Sequence, residues 1–431
     1  MSFRRNRTIG RALQALLTTL ALFAGTLACR GSAPRESGAR VTAIVGGTIH
    51  PSPDAAAIPD GIVLLAGERI TAVGPRDSVE VPDDALVIEA AGRTVLAGFW
   101  NSHVHFIEPQ WEGIDTMPAE RASRLLREML NRFGFVHVFD IASFSDRTLE
   151  LRSRIASGDV RGPDVRTTLI PFVPPNGTPR YVPPSIVLPE LHGPADARDS
   201  VRARIAQGAD GIKLFTVPIT RTRPFPVMSS AVVDAVTDEA HDAGLVVFAH
   251  PTNLAGVQVA VEHGVDVLAH TVPMARAIPD SVLDAMLRRG VALIPTLTLW
   301  EEDYGSDTTG MGAFMRAAQR QVDAYADRGG RILFGTDVGY IAVYDPTREY
   351  ELMAGAGLDF RAILTSLTTA PAAAFGRDDH TGRVQPGFDA DIVVLDGDPL
   401  TDVRALGRVR LAIKRGQIIY DADGHTDGGA P

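Results

Sequence analysis

One cysteine, Cys29, stands among 431 residues, which excludes an intrachain disulfide. Basic residues are in deficit, since 42 Lys and Arg against 52 Asp and Glu leave a formal charge of −10. That sign argues against nucleic acid as a partner, because phosphate neutralisation needs a basic face. No solenoid-type repeat is present, and no low-complexity tract beyond a proline-rich stretch over residues 171–184. The apolar run over residues 12–28 is shorter than the ~20 residues a membrane helix needs. With 45% hydrophobic residues the chain can still bury a large core, as one big domain with an accessory one or as two domains.

Arg4, Arg5, Arg7 and Arg11 precede that apolar run and small residues close it, the pattern of a cleaved export signal over residues 1–28. Cys29 directly follows Thr26-Leu27-Ala28, which resembles a bacterial lipobox with Thr26 where Leu is more usual. The expectation is an exported protein, periplasmic or at the cell surface, held to a membrane by a lipid on Cys29. A plain secretory signal is the alternative. Residues 29–40, with Gly31, Ser32, Pro34, Ser37 and Gly38, read as a flexible linker.

Short β-rich runs separated by Gly, Pro and Asp follow at residues 41–45, 61–65, 69–73 and 86–90, and read as a small antiparallel unit. Similar runs return at residues 391–395, 409–413 and 417–420, with Gly387, Gly397 and Gly416 as turns. Neither group has strands enough for its own core, so residues 41–97 and 381–425 are expected to build one composite β-sandwich. Between them, from Thr94 to about Phe375, apolar runs alternate with helical stretches, as βα units and a parallel sheet require. Eight such runs end near His105, Asp140, Ile170, Phe215, His250, His270, Pro295 and Asp337. The expected class is α/β, a (β/α)8 TIM barrel over residues 98–380 inserted in the sandwich. One helix is legible in detail, with Ser229 or Ser230 as N-cap and Gly244 closing residues 231–243.

Residues two apart on a strand face the same way, so His103 and His105, ending Gly98-Phe99-Trp100-Asn101-Ser102-His103-Val104-His105, can hold one cation together. Lys213 lies inside the apolar run Gly211-Ile212-Lys213-Leu214-Phe215, where a lysine is costly without a partner. His250, His270 and Asp337 end the fifth, sixth and eighth runs. Singly, each histidine fits a hydrogen-bonded core residue, and Asp337 fits a loop cap. Jointly, six metal-competent positions at five strand ends point to a metal site, because barrel active sites lie at those ends.

The other histidines read as structural. His241 and His263 sit in last helical turns before Gly244 and Gly264. His50, His192, His380 and His425 fall in polar loops or the tail, and His137, alternating with Phe135 and Phe139, fits a satisfied core position. Substrate contacts are expected from loops 171–184, 218–226 and 339–350, which carry Arg180, Tyr181, Arg221, Arg223, Tyr340 and Arg348. Arginines there could clamp a substrate carboxylate; a solvated loop charge fits each equally well.

Those motifs, with Gly335-Thr336-Asp337, Thr369-Ala370-Pro371-Ala372-Ala373-Ala374 and Gly387-Phe388-Asp389-Ala390-Asp391-Ile392-Val393-Val394, resemble the metal-dependent amidohydrolases. The resemblance covers residues 41–420 and is to the imidazolonepropionase-like branch that includes lysine-bearing dipeptidases. It implies two divalent cations, with His103, His105 and Asp337 on the first, His250 and His270 on the second, and Lys213 bridging as a carbamate. Zinc suits such mixed imidazole and oxygen ligands. It further implies cleavage of an amide, peptide or cyclic amide bond in a small molecule by hydroxide held between the cations, Asp337 moving the proton. A lactone or ester hydrolase would keep all six residues, and a binding lipoprotein without catalysis is the reading from another class. Four positions depart from the family: Ala97 replaces proline, Asn101 aspartate, and Ala269 and Thr271 the glutamate and glycine that flank the sixth-strand histidine. No ligand is lost, and the changes beside His270 are expected to alter the surroundings of the second cation.

Overall fold

The computed structural model describes residues 40–304 and 311–424, so the expected export signal, Cys29 and the linker up to residue 39 lie outside it. Strand β1 (Thr42–Ile49), rich in β-branched residues, bonds on both edges. On one edge it runs antiparallel to β2 (Ile58–Ala66), which turns through Gly67 into β3 (Arg69–Pro75). On the other it is parallel to β4 (Leu86–Glu89) and to β5 (Arg93–Ala97). The expected antiparallel unit is therefore a mixed sheet, because the chain crosses from β3 to the far edge of β1 before pairing again.

The barrel follows at once. Strands β6 (Phe99–Val104), β7 (Phe135–Asp140) and β8 (Asp164–Thr167) pair in parallel. So do β9 (Gly211–Phe215), β10 (Val246–His250), β11 (Val267–Ala269) and β12 (Ala292–Ile294). Three parallel bridges join the two groups into a ring: Phe172 with Leu214, Leu293 with Ile332, and Val104 with Val338. The eighth stave is thus the extended segment 332–338, tied to β6 through Ser102 N–H to the Phe334 carbonyl and Asp337 N–H to that of His103. Strand β8 stops short of the expected Ile170 because Leu169 turns left-handed at φ 59°, and pairing resumes at Phe172. Trp100, Phe139, Phe248, Ile294, Leu333 and Phe375 fill the interior, which is a packed core and not a pore. The helix Ser230–Asp242 is capped as expected, the Ser229 hydroxyl accepting from Val232 N–H.

Strands β13 (Ile392–Asp396), β14 (Val409–Lys414) and β15 (Gln417–Asp421) then extend the first sheet to eight strands, as expected of the two chain ends. The seam is β5, which lies within the expected span 41–97 but outside its four marked strand runs, paired antiparallel from Ile392 with Ala97 to Asp396 with Arg93. His137 fastens barrel to sheet. It stacks on Trp100 at 4.4 Å, with Nε2 2.8 Å from Asp391 and Nδ1 3.7 Å from Asp164, a core histidine as expected but with only Nε2 hydrogen-bonded.

Candidate active site

Asn101, His103 and His105 follow one another on the same side of β6 and its end, and the chain around them is arranged to hold them there. The Asn101 amide donates to the Thr336 hydroxyl at 2.8 Å, and its oxygen accepts the N–H groups of His103 and Thr336, both at 3.2 Å. Asn101 thereby laces the first stave to the eighth, a task its amide performs with both a donor and an acceptor. Gly335 makes the close approach possible, since a Cβ there would stand 2.8 Å from His103 Cβ and 2.4 Å from an Ile294 methyl. Asp337 and His270 both take left-handed backbone, at φ 63° and 80°. Such strain is held only where surrounding contacts enforce it, here at the positions that aim two side chains inward.

The result is a tight cluster. His103 Nε2 and His105 Nε2 lie 3.2 Å apart, and Asp337 Oδ1 is 2.7 Å from the second and 3.2 Å from the first. His270 Nε2 is 3.8 Å from Asp337 Oδ2, and its ring centroid is 4.7 Å from that of His250. Lys213, also buried, lines the same cavity. Asp337 Oδ1 is buried and takes no well-aligned hydrogen bond despite both imidazole nitrogens beside it. Lone pairs converging at these separations fit ligands ~2.0–2.2 Å from a shared cation better than they fit mutual hydrogen bonds. The ligating atoms of His103, His270 and Asp337 also fall within 4.8 Å of one another.

Neighbouring groups set the protonation of each ligand. His105 Nδ1 donates to the Ala142 carbonyl at 2.9 Å, which leaves Nε2 bare toward Asp337. His250 Nε2 pairs with the Thr252 hydroxyl at 3.0 Å, leaving Nδ1 as the nitrogen for a ligand. Burial pushes His103 down to about 4 and His250 to about 3, and lowers His270 well below its ordinary value, so all three imidazoles stay neutral. Burial works against the Asp337 carboxylate, yet His103 and His105 hold it well below the usual range, and it remains an anion. Burial also pushes Lys213 down to about 7, which makes much of it a neutral amine at physiological pH.

A cavity of about 400 Å³ opens over the cluster, lined further by Arg180, Tyr181, Tyr340, Leu188, Trp300 and Asp303. Of the loop residues singled out from the sequence, Arg180, Tyr181 and Tyr340 reach it. Arg221 instead donates to the Arg180 carbonyl at 3.2 Å, Arg223 lies over the Phe225 ring at 4.7 Å, and Arg348 pairs with Glu301 and Glu351. His241 and His263 pair with Asp266 and Asp234 away from the cavity, as structural residues do. Sequence reasoning passed over Asp140, whose buried carboxylate accepts from Ser143 and Thr167 and lies 4.0 Å from His105 Nδ1. Its place as the last residue of the second run was the one available signal. Nothing local marked Thr296, Trp300 or Glu349, which act on this site through contacts described below.

Comparison with known proteins agrees with this fold. The ochratoxinase of Aspergillus niger is 23% identical over 413 residues, spanning 85% of this chain and 83% of that protein. An imidazolonepropionase of Symbiobacterium thermophilum is 46% identical over 56 residues, which is 12% of this chain and 13% of that enzyme. Among solved structures, a Xaa-Pro dipeptidase with methionine in its active site superposes with a TM-score of 0.75 at 21% identity, covering 89% of this chain and all of that one. The profile of the amidohydrolase family matches residues 94–419, a span that contains every one of the six clustered side chains, and the chain belongs to that family.

Proposed function

We propose that this protein hydrolyses a carbon–nitrogen bond, in an amide, peptide or cyclic amide, within a small molecule that enters the cavity above the cluster. The convergence of neutral imidazoles, an ionised Asp337 and a partly neutral Lys213 carries this reading. Two divalent cations, zinc by the chemistry of the donor set, would be held by His103, His105 and Asp337 and by His250 and His270, with Lys213 between them. Bound there, such cations supply Lewis-acid polarisation of a carbonyl and an activated water at neutral pH.

The chain's own groups do the rest. The neutral Lys213 amine adds to carbon dioxide and loses a proton, which converts a buried base into an anionic oxygen ligand. Asp337 takes the proton of the attacking water and hands it to the leaving nitrogen as the carbon–nitrogen bond breaks. Left-handed backbone at Asp337 and the Gly335 approach fix its carboxylate for that transfer. That a Xaa-Pro dipeptidase shares this fold is the reason an amide is put before an ester here. The same reading takes residues 98–380 as the catalytic unit and places the protein outside the cytoplasm, tethered through Cys29, on the strength of the signal-like pattern before it.

Zinc stoichiometry measured by emission spectrometry, together with turnover of dipeptide, N-acyl amino acid, cyclic amide and lactone panels, tests the proposal. Two equivalents of zinc and hydrolysis of an amide class are expected. Less than one equivalent, or turnover of lactones alone, would overturn it.

A further inference from the structure

We infer that Trp300 is a specificity-determining residue that recognises a planar aromatic group beside the scissile bond, and that Thr271 and Glu349 are positioning residues that hold it for that purpose. The inference rests on the proposed reading of the site as a hydrolase of small amides. Trp300 lines the cavity, with its ring centroid 5.9 Å from that of His270. Its indole N–H donates to the Thr271 hydroxyl at 2.9 Å, so its hydrogen-bonding capacity is already used within the protein. What it offers a ligand is therefore aromatic surface alone, next to the reacting centre. Phe314 packs edge to face against it at 5.7 Å from the adjoining helix Met311–Ala326.

Thr271 is also the departure noted in the sequence, where the family has glycine. A glycine would give the indole N–H no acceptor, so the departure beside His270 and the tryptophan in the wall are one feature of this chain. The helix that carries Trp300, Leu297–Tyr304, is itself clamped. Glu349, buried on the helix Thr347–Gly355, accepts the N–H groups of Leu297 at 2.8 Å and Thr298 at 2.7 Å and the Thr298 hydroxyl at 2.8 Å. These are the donors a helix start leaves unpaired, and burial pushes the Glu349 carboxyl up to about 7 even though it accepts them. The neighbouring Arg348 grips Glu301 one turn further on, with Nε 2.8 Å from its carboxylate. Two consecutive residues of one helix thus fix the other at its start and along its flank, and an immobile aromatic wall discriminates by shape better than a mobile one.

The test compares zinc-loaded wild type with Trp300→Leu, Thr271→Val and Thr271→Ser on N-benzoylglycine and N-acetylphenylalanine, each against N-acetylglycine. Steady-state kinetics give turnover, and calorimetry gives binding. Wild type should prefer at least one aromatic probe by tenfold or more, a range that apolar pocket contacts commonly supply. Trp300→Leu should abolish that preference chiefly through KM, Thr271→Val should reduce it, and Thr271→Ser, which keeps the acceptor, should retain it. A preference that survives Trp300→Leu within twofold, or a wild type with none in either assay, overturns the inference. Should wild type hydrolyse nothing yet bind an aromatic probe preferentially, with the preference lost in Trp300→Leu, the hydrolase reading falls while the role of Trp300 stands. If Trp300→Leu fails to fold, the contrast between Thr271→Val and Thr271→Ser decides, and equal preferences in those two overturn it.

Discussion

His270 Nδ1 lies 2.7 Å from the hydroxyl oxygen of Thr296, and that hydroxyl gives its own proton to the Pro295 carbonyl at 2.8 Å. Thr296 can therefore only accept, which puts the His270 proton on Nδ1 and leaves Nε2 bare toward Asp337. Thr296→Val keeps the shape and removes the acceptor. Zinc competition against a chelating dye should show the weaker of two sites losing about tenfold to a hundredfold in affinity, the usual effect of losing an outer hydrogen-bond partner of a metal-bound histidine. Unchanged affinity at both sites would refute the tautomer argument.

Lys213→Ala should leave the fold intact, cost bound zinc and remove most activity. Because the proposed role belongs to an added carboxylate, formate or propionate in solution should restore part of both, and simple amines should restore neither. Zinc-depleted wild type should regain activity faster with bicarbonate present. Retention of two zinc ions and full turnover in Lys213→Ala would end the two-cation mechanism.

His137 gives the protein a pH signature separate from the metal site. Burial disfavours its charge, yet Asp391 and Asp164 outweigh burial and raise its pKa above the ordinary 6.5. Burial likewise opposes the Asp164 anion, and His137 outweighs it to hold that carboxyl below its ordinary 3.8. A raised histidine contributes fully below pH 6.5 and loses its contribution as pH climbs through the folded value. A lowered aspartate contributes fully above pH 3.8 and loses its share as pH falls through the folded value. Thermal midpoints of chelator-treated protein should thus fall on the alkaline side of pH 6.5 more steeply in wild type than in His137→Gln. Parallel curves would show the ring to be neutral throughout.

Gly335→Ala forces a methyl to within 2.8 Å of His103 Cβ and 2.4 Å of Ile294, with no flexible chain end to yield. The first and eighth staves must separate, at a cost of ~1–3 kcal/mol typical of overpacking. Denaturant unfolding should show that loss, and zinc content should drop with it, since His103 and Asp337 sit on the two staves being parted. Wild-type stability and zinc content together would contradict the packing account.

Cys29→Ser should release the protein from membranes or stall its processing, as read by fractionation and intact mass. Wild type found unprocessed in the cytosol would refute the export reading.

The sequence by itself determined the parts whose signals are local. Alternation put His103 and His105 on one face, the cost of a buried ammonium singled out Lys213, and apolar runs of strand length marked most staves. Packing of distant segments decided the rest. Strand β5 became the seam of the sheet only because β13 returned to it from some three hundred residues along the chain. The left-handed turns at His270 and Asp337 run against the propensity of non-glycine residues and are enforced by the closed ring. Thr296, Thr271 and Glu349 are ordinary in composition and position. Each matters through hydrogen bonding to a distant partner, Thr296 to His270, Thr271 to Trp300 and Glu349, by three bonds, to the start of the helix Leu297–Tyr304, across 26, 29 and up to 52 residues. A bond of that kind depends on where the barrel closure brings two backbones, which no periodicity or composition records.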